Sequence, residues 1–340
     1  MAATKNRIIL GLMTMGPDPA HGARITSLDE FKKILDYFQQ IGYDEVDTAR
    51  LYCGGKQEEF TAAAGWKERG LKMATKWYPY FPGAFKAAKL REMMEKSLQE
   101  LKTDSVDIFY LHAADRTVPV TETLEEMDAL HKEGKFSTFG LSNFSAYEIA
   151  EIWTICNERG WVKPTLYQGL YNCISRSLET EIVPCCRRYG IDIVIFNPLA
   201  GGLLSGRYKT ADVPAEGRYS KSQAGDMYRA RYFKDATFEA LHILEPVLAK
   251  HGLTMLEVAL RWCVHHSVLN MTKGGNDGVI IGVSSFAHLE SNLSNLEKGP
   301  LPEDVVKVLD EAWLLVKPTT GNPWHGELKY TYDATTAFAK

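Results

Sequence analysis

The 340-residue chain has no long hydrophobic run. Its most apolar early stretch, residues 8–13, is too short to span a bilayer, and no small-residue cleavage site follows it. That stretch reads as a first strand and gives no reason to place the protein in a membrane. Cysteine is scarce. The six residues Cys53, Cys156, Cys173, Cys185, Cys186 and Cys263 form no C-x-x-C pair. A disulfide framework and a zinc or other metal site are therefore not expected; free thiols in a reducing, cytoplasmic compartment are. Charge of one sign is also missing: 39 basic against 43 acidic residues leave a net charge of −4. No basic excess recruits nucleic acid or an acidic membrane surface. Finally, no G-x-G-x-x-G follows residues 8–16. That absence counts against an open doubly wound nucleotide-binding sheet.

What is present is a rhythm. Short apolar runs at 8–16, 43–49, 71–77, 106–112, 136–143, 165–171, 191–198 and 278–283 predict eight strands. Amphipathic stretches at 27–41, 57–69, 84–101, 121–133, 147–159 and 178–189 predict helices between them, with Ser145 an N-cap. After the seventh strand the rhythm breaks into a polar, glycine-bearing stretch, 201–235, too long for a plain connector. Helical patterns resume at 238–251, 254–266, 286–296 and 303–316, and an irregular tail occupies 317–340. Near-continuous apolar strands alternating with helices predict an α/β fold: one closed (β/α)8 TIM-barrel domain over residues 1–340, with extra C-terminal helices.

In such a barrel, chemistry sits at the C-terminal strand ends. Asp47 and Tyr52 follow strand two, Lys76 ends strand three and His112 ends strand four. A phenol titrates too high for easy proton exchange at neutral pH, and a neighbouring ammonium favours the phenolate. Tyr52 is thus the candidate general acid, Lys76 its tuner and Asp47 the anchor of Lys76. His112 is placed to orient a substrate oxygen. The set suits protonation of a carbonyl oxygen while a cofactor delivers hydride. Each residue also has a plainer reading: an ion pair at the mouth, a packing aromatic, a satisfied core histidine. Arg50, between Asp47 and Tyr52, shows no role at this level.

At these residues the chain resembles the aldo-keto reductases. Further matching stretches are Gly140-Leu141-Ser142-Asn143-Phe144, Gln168 within 166–171, and residues 196–206. The last, with Tyr228-Arg229-Ala230-Arg231-Tyr232-Phe233, is most similar to the aflatoxin-aldehyde reductase branch. The resemblance implies NADPH-dependent reduction of aromatic, dicarbonyl or semialdehyde-type carbonyls, with Asp47, Tyr52, Lys76 and His112 as the tetrad. It implies that Ser142, Asn143 and Gln168 hold the nicotinamide carboxamide, and that Asn197, Leu199, Gly201, Leu203, Gly206 and Arg207 wrap the pyrophosphate. Gly282, Ser284, Ser285, His288 and Asn292 would take the adenosine end, His288 standing where the family has glutamine or arginine. Arg231 would bind a substrate carboxylate and Trp324 would wall the pocket. The tail lacks the arginine common in that branch, and Lys329 is the candidate replacement. A small-molecule carbonyl substrate and a homodimer are expected. The alternative is an NADPH-binding regulatory barrel resembling channel-associated β-subunits, with little turnover.

Overall fold

A computed structural model describes residues 5–271, 275–333 and 335. The ends of the expected 1–340 domain and the last residues of the tail lie outside these.

Eight strands form one closed parallel barrel in chain order. They are β1 (Arg7–Gly11), β2 (Glu45–Asp47), β3 (Lys72–Trp77), β4 (Val106–Leu111), β5 (Phe136–Ser142), β6 (Leu166–Leu170), β7 (Asp192–Phe196) and β8 (Gly278–Gly282). β1 closes on β8 over five residue pairs, from Arg7 opposite Gly278 to Gly11 opposite Gly282. Around them run α1 (Leu28–Gln40), α2 (Gln57–Ala63), α3 (Ala87–Leu101), α4 (Val120–Lys132), α5 (Ala146–Arg159) and α6 (Ile182–Tyr189). After β7 come α7 (Gln223–Tyr232), α8 (Asp235–Lys250) and α9 (Met255–His265). α10 (Phe286–Leu296) and α11 (Glu303–Val316) follow β8.

Alternation along each strand divides the core in two. Ile9, Ala74, Ile108, Tyr110, Leu166, Val194 and Ile280 fill the barrel interior. The opposite strand faces meet the helices in a larger apolar layer that includes Leu10, Val46, Met73, Phe109, Leu141 and Ile193. The same alternation carries Asp47 and Lys76 inward, one step beyond the apolar interior. Local signals set the helices: Ser145 and Glu148 form a reciprocal capping box on α5, and Gly160 ends it in the left-handed region at φ 66°.

The structure corrects several boundaries. β1 stops at Gly11, because the Leu12 N–H turns to the Asp47 carbonyl at 2.9 Å and Met15 bridges Ile25. α2 ends at Ala63, six residues before the expected limit, and Gly65 adopts φ 76°. Its buried face is polar (Gln57, Glu58, Thr61), so hydrophobic periodicity carries no end signal. The stretch 201–235 is largely folded into short turns over Ala200–Ser205 and then α7. All six cysteines are free thiols. Among the described residues no helix is long and apolar enough to cross a membrane, and no group of three or more His, Cys, Asp or Glu could hold a metal ion.

Candidate active site

The short β2 strand delivers Asp47 to the barrel's C-terminal end, and β3 delivers Lys76 beside it. The Lys76 ammonium donates to the Asp47 carboxylate and, at 2.6 Å, to the Thr48 carbonyl. Both side chains are almost wholly buried, with 0% and 5% exposure. Burial pulls the Lys76 pKa down while Asp47 pushes it back up, and the net direction is down. The other Asp47 oxygen accepts from Gln168 Nε2 at 2.8 Å, so β6 is tied to the same pair. That bond occupies one N–H of the Gln168 amide.

Tyr52 leans over this pair, its ring centroid 5.2 Å from Lys76 Nζ. The His112 ring lies edge-on to it at 6.2 Å. The sequence predicts that Lys76 lowers the phenol's pKa. The structure gives the opposite net direction: burial, then the Asp47 carboxylate, holds Tyr52 well above its ordinary value. The reason is that partial burial strips the phenol of water and the Asp47 carboxylate repels its anion. Tyr52 therefore keeps its proton at neutral pH. Burial, Lys76 and His325 push His112 well below the ordinary imidazole value, so it is neutral. Its Nδ1 is buried without a hydrogen-bond partner among the described residues. Such a vacancy costs free energy unless something else fills it.

Asn143 stands just past β5 at φ 59°, donating to the His112 carbonyl at 2.9 Å and to Ser142 Oγ at 3.0 Å. After β7 the backbone enters the left-handed region repeatedly, at Asn197, Ala200, Gly201, Gly202 and Gly206. A Cβ on Gly202 would meet nothing within 4 Å, whereas one on Gly201 would lie 2.6 Å from the Tyr228 ring. Ser205 Oγ is buried and unpartnered among the described residues. Leu203 is fully buried, side chain and backbone alike, which counts against its expected part in holding a ligand. Across the mouth, Ser285 caps α10 by accepting the His288 N–H at 3.3 Å. His288 bonds Ser284 at 2.9 Å and Arg207 at 3.2 Å. Burial and Arg207 lower its pKa, leaving Arg207 as the cation of this group. Asn292 is buried beneath, and Gly282 is open to solvent with nothing within 4 Å of an added Cβ. An open glycine ribbon, an orphaned hydroxyl and a helix N-terminus flanked by Arg207 fit a dinucleotide with its phosphates along this edge.

Beside Arg231 and Trp324, the rim holds Tyr78 and His325, which sequence reasoning missed. Tyr78, just past β3, packs edge-on to His112 at 5.4 Å and to His325 at 6.0 Å. His325 reaches the mouth because its N–H bonds the Asn143 carbonyl at 3.1 Å and its carbonyl accepts from Arg116 at 2.7 Å. Arg116 is held by a buried ion pair to Glu148 at 2.8 Å, and Tyr330 donates to Glu148 at 2.6 Å. Burial, then Arg231 and Arg116, lower the His325 pKa to about 4. Lys329 points elsewhere: its side chain is 83% exposed and pairs with Glu327. Thus His325, not Lys329, is the basic side chain that the tail brings to the mouth. Trp324, beside it, is half-buried. Arg231 lies 5.9 Å from the Tyr228 ring and has no carboxylate partner among the described residues. Arg218, 5.3 Å from the same ring, acts electrostatically on both Tyr52 and Cys53. Arg229 is a structural tie to the Ser220 carbonyl at 2.6 Å.

The closed parallel barrel brings an aspartate, a tyrosine, a lysine and a histidine to the ends of β2, β3 and β4, and residues 7–314 match the sequence profile of the aldo/keto reductase family. The chain belongs to that family and is an oxidoreductase. It is 45% identical over 293 residues to an aldo-keto reductase of Pseudocercospora fijiensis, covering 84% of this chain and 98% of that one. Identity is 42% to aldo-keto reductase family 7 member A3 of Homo sapiens, covering 91% of this chain and 94% of the relative. It is 40% to aflatoxin B1 aldehyde reductase member 2 of Mus musculus, covering 91% and 84% respectively. Reduction of carbonyl groups is the chemistry these relatives support.

Proposed function

We propose that the protein reduces aldehydes and ketones with NADPH, and that Tyr52 supplies the proton. When bound, the nicotinamide supplies hydride to the carbonyl carbon. Ser142, Asn143 and Gln168 would hold its carboxamide end, the backbone from Asn197 to Arg207 its pyrophosphate, and Gly282, Ser284, Ser285, His288 and Asn292 its adenosine end. Everything else falls to the chain's own side chains. His112, neutral and lacking a partner at Nδ1, offers an N–H to the carbonyl oxygen. Tyr52 is protonated where the oxygen gains charge, and gives up its proton there. The ammonium of Lys76, fixed by Asp47, stabilises the phenolate left behind. Lys76 and Asp47 are buried and Tyr52 and His112 half-buried, which limits water at the reacting atoms.

The observation that carries this reading is the protonated, half-buried Tyr52 set between a buried Lys76–Asp47 pair and a neutral His112. Aromatic, dicarbonyl and semialdehyde substrates suit a mouth lined by Tyr78, Trp324, Tyr228 and Arg231. A cytoplasmic location and a dimer belong to the same proposal; light scattering reads the second. The test is NADPH consumption across a panel of aldehydes and ketones, repeated with NADH. Turnover of several carbonyls with NADPH is expected. Tight NADPH binding with no turnover on any carbonyl would overturn the enzymatic reading in favour of a regulatory barrel.

A further inference from the structure

Arg50 lies between Asp47 and Tyr52, and the structure gives it work. The chain leaves β2, crosses Arg50, whose N–H bonds the Lys76 carbonyl at 3.0 Å, and turns tightly through Tyr52–Gly55. That turn is an unfavourable one. Cys53, Gly54 and Gly55 all occupy the left-handed region, at φ 50°, 64° and 82°. For cysteine this conformation costs free energy, so neighbouring contacts must impose it.

Two ties do so. The Cys53 thiol donates to the Met13 and Met15 carbonyls at 3.4 and 3.6 Å. On the other side, Arg50 Nη2 donates to the Gly55 carbonyl, the last residue of the turn. Arg50 Nη1 donates to Glu58 on α2 and, at 2.7 Å, to Glu100 on α3. Glu58 also accepts from Thr75 at 2.6 Å, and Thr75 is the β3 residue beside Lys76. One guanidinium thus joins the Tyr52 turn, two helices and, through Glu58, the strand that bears Lys76. Its side chain is 10% exposed and that of Glu58 is 0% exposed. A planar fork can serve three acceptors in fixed directions, which an ammonium cannot do.

We propose that Arg50, acting through the Gly55 carbonyl and the Glu58–Glu100 pair, is the positioning residue that fixes the Tyr52 hydroxyl over the reacting carbonyl. The proposal rests on Tyr52 being the proton donor. The hydrogen bonds of Arg50 run to the scaffold: to Gly55, Glu58, Glu100 and the Lys76 carbonyl.

The test is a double-mutant cycle between this clamp and Tyr52. Replacing Arg50 alone strands the buried Glu58 charge and endangers folding, so the clamp is removed as Arg50→Met with Glu58→Gln. Thermal melting confirms that each variant is folded, and a single-site Glu100→Gln serves if the pair is not. The expected result is a fall in kcat of about 10- to 100-fold, as for an ångström-scale misplacement of a reacting group. The NADPH dissociation constant, read by fluorescence quenching, stays within about twofold. Arg50→Lys recovers only part of kcat. In a Tyr52→Phe background, read by single turnover, removing the clamp adds no further loss. Equal losses with and without the tyrosine hydroxyl, or an unchanged kcat, would overturn the role of Arg50 alone. Undiminished activity of Tyr52→Phe itself would instead sink the reading on which it rests.

Discussion

The mouth of this barrel has two sides built on different physics. On the side formed by β2, β3 and β4, the functional groups are buried and held by partners: Asp47 and Lys76 bind each other, Gln168 and Thr48 complete their bonds, and Arg50 clamps the turn above. On the side formed by the β7 loop, α7 and the tail, cations stand without carboxylate partners among the described residues, as Arg231 and Arg218 do, and the backbone repeatedly enters the left-handed region. Apart from the unpartnered His112 Nδ1, the first side is finished before any ligand arrives. The second leaves its charges and its Ser205 hydroxyl available. A site for proton transfer needs the former, since its geometry must not relax; a site for phosphates and varied substrates needs the latter.

Breaking the finished side should cost most. Asp47→Ala leaves the Lys76 ammonium buried without its counter-ion, and removing one partner of such a pair costs about 3–5 kcal/mol. Chemical denaturation should show that loss, whereas Arg207→Ala on the exposed rim should leave stability unchanged. A loss below about 1 kcal/mol for Asp47→Ala would mean that the pair is not ionised.

On the open side, Gly201→Ala forces a side chain into φ 67° and against the Tyr228 ring. About 1–2 kcal/mol of stability should go, by the usual left-handed penalty. NADPH affinity, measured by titration, should fall about tenfold, equivalent to roughly 1.4 kcal/mol. Unaltered affinity would detach this ribbon from the cofactor.

A smaller effect distinguishes the tail. The His325 pKa is depressed from 6.5 in the open chain to about 4 in the fold. Between those values the unfolded chain binds more protons, so stability falls with falling pH, by at most about 1.4 kcal/mol per pH unit. The contribution is complete above pH 6.5 and is lost as pH falls through about 4. Melting curves of His325→Gln should be flatter over that window; identical pH dependence in both proteins would remove His325 from the linkage.

The smallest effect concerns choice of substrate. A neutral His325 beside Arg231 leaves one cation for an acidic aldehyde. His325→Arg should raise kcat/KM for carboxylate-bearing aldehydes about tenfold over neutral ones, the order expected for one added charge-assisted hydrogen bond. Arg231→Ala should raise KM for the acidic substrate. An unchanged KM would take Arg231 out of the site.

The two sides also differ in how far the sequence discloses them. Asp47, Lys76 and His112 end apolar runs whose period places them, so strand reading and barrel closure bring them together. Tyr52 follows at a fixed short distance. The clamp and the rim carry no such period. Arg50 meets Glu58 and Glu100 across loop and helix contacts that alternation does not encode, and the short α2 hides its end because its buried face is polar. His325 lies in an aperiodic tail, placed by Arg116 and Asn143, which are more than 180 residues away in the chain. At Tyr52 the sequence shows the nearby lysine but not the burial that outweighs it.

The most direct measurement is the single-turnover rate of nicotinamide oxidation by an aldehyde, in wild type and in Tyr52→Phe, both saturated with NADPH. Loss of the proton donor should slow that rate by about 10²- to 10⁴-fold while leaving NADPH binding unchanged. Equal rates in the two proteins would contradict the assignment of Tyr52 as the acid.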